Sequence, residues 1–224
     1  MARRERKVHP SISYIPRRER PLLRGVPCVL ATALALPATI ALIRAAEPGE
    51  NTLVALLYSV TLLLLLGVSA IYHTPAWLPS TFRLLQRIDH GNIYLAIAGS
   101  FTPLALALSE PTRSLSLALV WMAAIAGALE AWLITGMRRE ARATIYCVMG
   151  LSTALTSGAV LEACGGWVLF RYLFGGGLYV TGAVFYALKR PNPWPRVFGH
   201  HELFHVFVML GAMIHYTVIW ELLT

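Results

Sequence analysis

Charge is scarce in this chain. Asp, Glu, Lys and Arg make up 13% of its 224 residues, about half the roughly 25% usual in a soluble domain. That shortage excludes an ordinary water-facing surface. Cysteine is scarce too: Cys28, Cys147 and Cys164 form no CxxC pair and fall in or at the ends of apolar stretches. An odd number at such spacings gives no disulfide framework, so buried, inert thiols are expected. The alternation of polar and apolar residues that a transmembrane β-barrel needs is missing, as the run Leu62 to Leu66 illustrates. No second domain or low-complexity linker is visible. No GxxxxGK follows the glycines at 175, 176, 177 and 182, so these read as helix-packing positions rather than a phosphate loop.

What the chain does have is hydrocarbon. Apolar residues fill 57% of positions, gathered in nearly uncharged stretches of about 20 residues, the length an α-helix needs to cross a bilayer. Helices satisfy their own backbone polar groups in lipid. The expected fold is therefore all-α, a seven-helix transmembrane bundle with spans near 24–46, 52–73, 88–108, 114–135, 143–163, 166–188 and 201–223. The least distinct boundary is the fifth to sixth, where only Ala163 to Gly165 separate the apolar runs on either side.

The net charge of +8 points to orientation rather than to nucleic acid. Eight basic residues lie in the first 24 positions: Arg3, Arg4, Arg6, Lys7, Arg17, Arg18, Arg20 and Arg24. Residues 1–23 thus form a basic cytoplasmic tail suited to anionic headgroups, followed by the membrane domain, 24–224. The long apolar run that comes next, with no small-residue cleavage site, argues against a secretory signal. With the N-terminus inside, the inner segments also hold Arg83, Arg87, Arg138, Arg139, Arg142, Lys189, Arg190 and Arg196. That makes 16 basic residues inside, against Arg44, Arg113 and Arg171 outside. The bias implies a cytoplasmic N-terminus and, after seven spans, a C-terminus outside.

On this topology the polar residues of spans two, three and seven meet near the inner leaflet, where ionisable side chains are functional candidates. Ser69 and His73 close span two four residues apart, on one helix face. Asp89 opens span three. His201 and His205 open span seven, again four apart. His73, Asp89, His201 and His205 share one depth, with Ser69 about 6 Å deeper. Three imidazoles and a carboxylate suit a catalytic zinc ion, whose fourth position holds an acidified water. Asp89 would orient or deprotonate that water, and Ser69 would hydrogen-bond it or a substrate carbonyl.

Other readings of these residues stand beside that one. A lone histidine at a membrane interface is commonly a headgroup-level residue. His201-Glu-Leu-Phe-His205 matches the soluble metalloprotease string HExxH, so Glu202 is a candidate base. That string of five residues is short, and Glu202 lies about 100° round the helix from its neighbours. His90 and His200 should point away from the site. His215, about 15 Å above His205, should bond within the bundle. Glu130 is an unusual carboxylate within a span, next to the site or facing a substrate.

Three segments, Ser69-Ala-Ile-Tyr-His73, Asp89 to Pro103 and His201 to His205 continuing to His215, resemble the hemolysin III family. That bacterial group belongs with the progestin and adipoQ receptors, which include the adiponectin receptors. The resemblance covers the membrane domain. It implies a seven-helix bundle in the bacterial inner (plasma) membrane, with zinc on His73, His201 and His205, Asp89 near the metal-bound water and Ser69 beside it. Alkaline ceramidases in the wider superfamily imply hydrolysis of a lipid amide, whereas the hemolysin name implies membrane permeabilisation. The sequence thus leads to a zinc-dependent hydrolase of lipid amides or esters. The rivals are a permeabilising or channel protein, a structural or sensory zinc site stapling spans two and seven, and a serine nucleophile at Ser69 with His73 and Asp89. Membrane lipids are the expected partners, as environment and substrate.

Overall fold

A computed structural model describes residues 20–134 and 136–224 of the protein. Most of the expected basic tail, residues 1–19, lies outside the described residues. Among the described residues there are α-helices, one 3₁₀ turn and no strand beyond an isolated bridge between Trp194 and Phe198. The helices are α1 (Val26–Ala45), α2 (Glu50–His73), α3 (Pro79–Leu106), α4 (Thr112–Leu133), α5 (Arg139–Ser152), α6 (Ser157–Leu188) and α7 (His200–Leu223), with the 3₁₀ turn Thr153–Thr156 joining α5 to α6. Among the described residues, five stretches are long and apolar enough to cross a membrane: α1, α2, α4, the run Arg139–Leu188, and α7. The chain is a multi-pass integral membrane protein.

Two places differ from the expected span plan. The third helix starts at Pro79, ten residues before Asp89, and not at the edge of the apolar run. Proline at the first helical position supplies a ready-made φ and gives up no hydrogen bond. The turns from Pro79 to Ile88 carry Arg83 and Arg87, which places Asp89 in mid-helix rather than at a helix start. The second difference lies between α5 and α6, where no loop separates the runs. Gly165 instead leaves helical geometry (φ 82, ψ 166), a conformation that is costly for any residue with a Cβ. The chain doubles back there. Thr153 and Tyr172 hydrogen-bond through their hydroxyls at 3.3 Å across 19 residues, a separation a straight helix would stretch to about 28 Å.

Packing divides the interior into two clusters. One gathers Tyr94, Phe101, Leu104, Val120, Met149, Val160, Val168 and Val218 around α3, α4, α5, α6 and the C-terminal half of α7. The other joins α1, α2 and α7 through Leu42, Tyr58, Leu62, Ala212, Ile219 and Leu223. Small residues set the closest approaches. A Cβ at Gly175 of α6 would lie 2.4 Å from the His215 ring of α7, and one at Gly211 would lie 3.0 Å from the Gly175 carbonyl. Close backbone contact of this kind is how helices associate where lipid removes the hydrophobic drive between them. Outward-facing side chains such as Leu34, Leu53, Leu119, Met122 and Trp167 are exposed and apolar, as a lipid-facing surface requires.

Candidate metal centre

Helix ends at one end of the bundle bring the site together. α2 ends at His73, and α7 begins at His200 after a loop that turns at Gly199. The two histidines of α7 sit one turn apart on the face turned towards α2. The Nε2 atoms of His201 and His73 are 3.3 Å apart, and those of His205 and His201 are 2.9 Å apart. All three side chains offer a nitrogen within 4.8 Å of the others, and among the described residues this is the group of histidines able to hold a metal ion. The three are buried as a donor group, although His201 and His205 are half-buried as whole residues.

The donor set fits a metal better than it fits protons. A ring nitrogen carries either one proton or one lone pair, so His201 Nε2 cannot bond equally to two neighbours. A central cation accepts a lone pair from each ring. Bonds of about 2.0–2.1 Å at tetrahedral angles, the values for zinc, put ligand nitrogens about 3.3 Å apart. The His73–His201 spacing matches that edge, and the His201–His205 contact needs only a few tenths of an ångström of opening.

Around the imidazoles the expected neighbours are present. Asp89 of α3 is 8% exposed and Ser69 of α2 is 5% exposed. The Ser69 side chain lies against the Asp89 carboxyl group, and Ser69 Oγ also receives a weak hydrogen bond from Cys28 Sγ at 3.6 Å. Cys28, expected as an inert buried thiol, is buried as anticipated but adjoins the site. Tyr72 packs at a tilt against His73 with ring centroids 4.4 Å apart, and Tyr186 of α6 meets His201 at 5.5 Å. Sequence reasoning missed both tyrosines. Tyr72 adjoins His73 in the chain, but Tyr186 carried no local signal.

Other polar residues are engaged elsewhere. Glu202 is 1% exposed with both oxygens committed. Oε2 accepts the Gly199 backbone N–H at 2.8 Å, and Oε1 pairs with Arg24 at 3.1 Å. The literal HExxH string is therefore a helix cap, and Glu202 is not available as a base. His90 turns away, as expected, to meet Arg142 at 2.8 Å. The His200 backbone N–H donates to Asn192 Oδ1 at 3.1 Å. His215 Nε2 donates to the Tyr172 carbonyl at 3.0 Å while its ring stacks on Tyr172, also as expected. Glu130 accepts from Arg142 and from the Tyr94 hydroxyl, which makes it a member of a structural network between α3, α4 and α5.

Comparison with known proteins bears directly on these motifs. Hemolysin-3 of Bacillus cereus is 31% identical over 201 residues, covering 87% of this chain and 88% of that protein. The human monocyte to macrophage differentiation factor is 28% identical over 203 residues, covering 88% of this chain and 79% of its own length. Heptahelical transmembrane protein 3 of Arabidopsis thaliana is 34% identical over 147 residues, covering 58% of this chain and 42% of its own length. The family model described as Haemolysin-III related matches residues 18–216, a range that contains Ser69, His73, Asp89, His201 and His205, and the chain belongs to that family.

Proposed function

We propose that the protein is a zinc-dependent hydrolase that cleaves a lipid amide or ester from within the membrane, near the cytoplasmic leaflet. The observation that carries this reading is the convergence of three imidazole nitrogens within 4.8 Å of one another, with the buried pair Asp89 and Ser69 on adjoining helices. A structural staple needs no such pair.

Zinc, when held by the three imidazoles, would supply Lewis acidity and would acidify a water at the site. His73, His201 and His205 serve as neutral donors through Nε2. Asp89 accepts a proton from the attacking water and returns it to the departing amine or alkoxide, the usual duty of a general base that becomes a general acid. Ser69 donates its one hydroxyl proton to the Asp89 carboxylate and holds it in position, and once Asp89 has taken the proton of the water that hydroxyl can turn to the substrate carbonyl. Cys28 donates to Ser69 Oγ, which leaves the serine proton free for an acceptor. A serine nucleophile at Ser69 would leave the two α7 histidines without a task.

The accompanying topology is seven spans, N-terminus inside and C-terminus outside, in a bacterial plasma membrane. It is supported by the 16-to-3 distribution of basic residues and by the break in helical geometry at Gly165 within the 50-residue run Arg139–Leu188. The name of the heptahelical plant relative agrees with it.

The test is to incubate purified protein with a panel of lipid amides and esters, with and without chelator. Turnover that stops on chelation and returns with zinc supports the reading. Zinc-loaded protein that hydrolyses none of the panel but makes lipid vesicles leak would overturn it in favour of permeabilisation.

A further inference from the structure

The first two turns of α7 carry His201 and His205, and the mechanism above makes no use of the carboxylate between them. Glu202 is nevertheless among the most deeply buried charged residues of the chain, 1% exposed, and its partner Arg24 is 19% exposed along the side chain. Arg24 belongs to the segment that precedes α1, and that segment is tied down at several points. Leu22 and Leu23 donate backbone hydrogen bonds to the Arg196 and Val197 carbonyls, each at 3.0 Å, in the loop that leads into α7. Gly25 adopts φ +82 and lies so close to the end of α2 that a Cβ there would be 2.5 Å from Thr74 Oγ1 and 3.2 Å from the His73 carbonyl carbon. Arg20 reaches the Pro75 carbonyl at 3.3 Å. Arg24 is thereby fixed between the two helices that supply the three imidazoles, and its charge lies within electrostatic reach of His73, His201 and His205.

We infer that Arg24 and Glu202 form a charge-balanced brace that sets the metal affinity of the centre, Glu202 cancelling the Arg24 cation while it caps the helix that bears His201 and His205. This rests on the reading of those histidines, with His73, as metal ligands. Both are positioning residues and neither touches the metal. A dication entering three neutral imidazoles is opposed by any uncompensated positive charge nearby, and the opposition is strong where water is excluded. Breaking a buried pair from one side leaves such a charge behind, whereas removing both partners does not.

The experiment measures zinc affinity of the full-length protein in detergent by competition with a chelator of known strength, with melting temperature recorded alongside. Glu202→Gln keeps an amide oxygen to accept the Gly199 N–H but removes the negative charge, so the affinity should fall about tenfold, as for loss of other groups that support metal ligands. Arg24→Met should not lower it. The double variant R24M/E202Q should return to within about threefold of native, the signature of a coupled pair rather than of two separate losses. A double variant that binds zinc as weakly as Glu202→Gln, or more weakly, would overturn the brace and reduce the pair to fold stability. Native protein and His205→Ala serve as controls. If native protein takes up no zinc, or His205→Ala binds it equally well, the metal-centre reading itself fails. If the controls behave and Glu202→Gln leaves affinity unchanged, only the brace fails.

Discussion

Glu130 on α4 and Arg142 on α5 form an ion pair at 2.8 Å with side chains only 13% and 11% exposed. Arg142 also meets His90 Nδ1 at 2.8 Å, and the Tyr94 hydroxyl donates to the other Glu130 oxygen at 3.1 Å. Three helices are thereby joined through one guanidinium and one carboxylate.

Removing one partner of that pair leaves a buried charge unmatched, which costs about 3–5 kcal/mol. Arg142→Met is therefore expected to lower the melting temperature in detergent strongly. The pair between Arg113 and Glu50 joins α2 to α4, with Glu50 60% exposed, and exposed pairs are worth about 0–1 kcal/mol. Arg113→Met should leave the melting temperature close to native. Equal losses in the two variants would contradict the network.

Glycines in α6 that are adjacent in sequence should differ sharply. A Cβ at Gly175 would meet His215 Cδ2 at 2.4 Å, and that ring is held by stacking on Tyr172 at 4.6 Å. Overpacking of this kind costs about 1–3 kcal/mol, so Gly175→Ala should destabilise. Nothing lies within 4 Å of a Cβ at Gly176. Gly176→Ala should be neutral or mildly stabilising, since alanine is the better helix former by about 1 kcal/mol. Thermal melts of the two variants side by side decide the matter.

Metal content and turnover should separate the roles at the proposed centre. Purified protein is expected to hold about one zinc per chain, the count for a single three-histidine site. His73→Ala, His201→Ala and His205→Ala should each lose it, whereas Ser69→Ala should keep it. Asp89→Asn should keep the metal and the melting temperature yet lose about 10²–10⁴ in lipid turnover, the usual worth of general-base assistance. Native-rate hydrolysis by Asp89→Asn would rule out the mechanism.

Topology can be read with reporters. A fusion after Thr224 should report the outside and an insertion near Arg139 the cytoplasm. An insertion at Gly165 should also report the outside if Arg139–Leu188 makes two passes. A cytoplasmic signal at Gly165 would remove the proposed hairpin and with it the seven-span count.

Much of the site was legible because it depends on helical periodicity alone. Ser69 with His73, and His201 with His205, are four apart, and a helix of either register brings each pair to one face. What escaped depended on partners distant in the chain. Glu202 reads as a metalloprotease base from its neighbours, and only Arg24, 178 residues away, together with the Gly199 N–H, makes it a cap. Arg24 reads as one more topology charge because nothing near it in sequence marks it for pairing. The early start of α3 was obscured by its charge, since hydropathy marks the membrane-embedded portion of a helix and not its extent. The reversal at Gly165 coincides with the least distinct boundary in the sequence, and the torsion of a single glycine does there what a polar loop does elsewhere.

That single-residue turn has a consequence for biogenesis. Where two passes are joined by a polar loop, the first helix can settle in the lipid before the second is made. At Gly165 there is no such slack. If the run Arg139–Leu188 makes two passes, the contact of Thr153 with Tyr172 across the turn means that the segments on either side of Gly165 enter the bilayer as one helical hairpin. α5 alone is only 14 residues long, too short to span without the turn that follows it. On the two-pass reading, a fusion that ends the chain between Ser152 and Gly165 should therefore leave the fifth pass unstably inserted, whereas one that ends it after Leu188 should not.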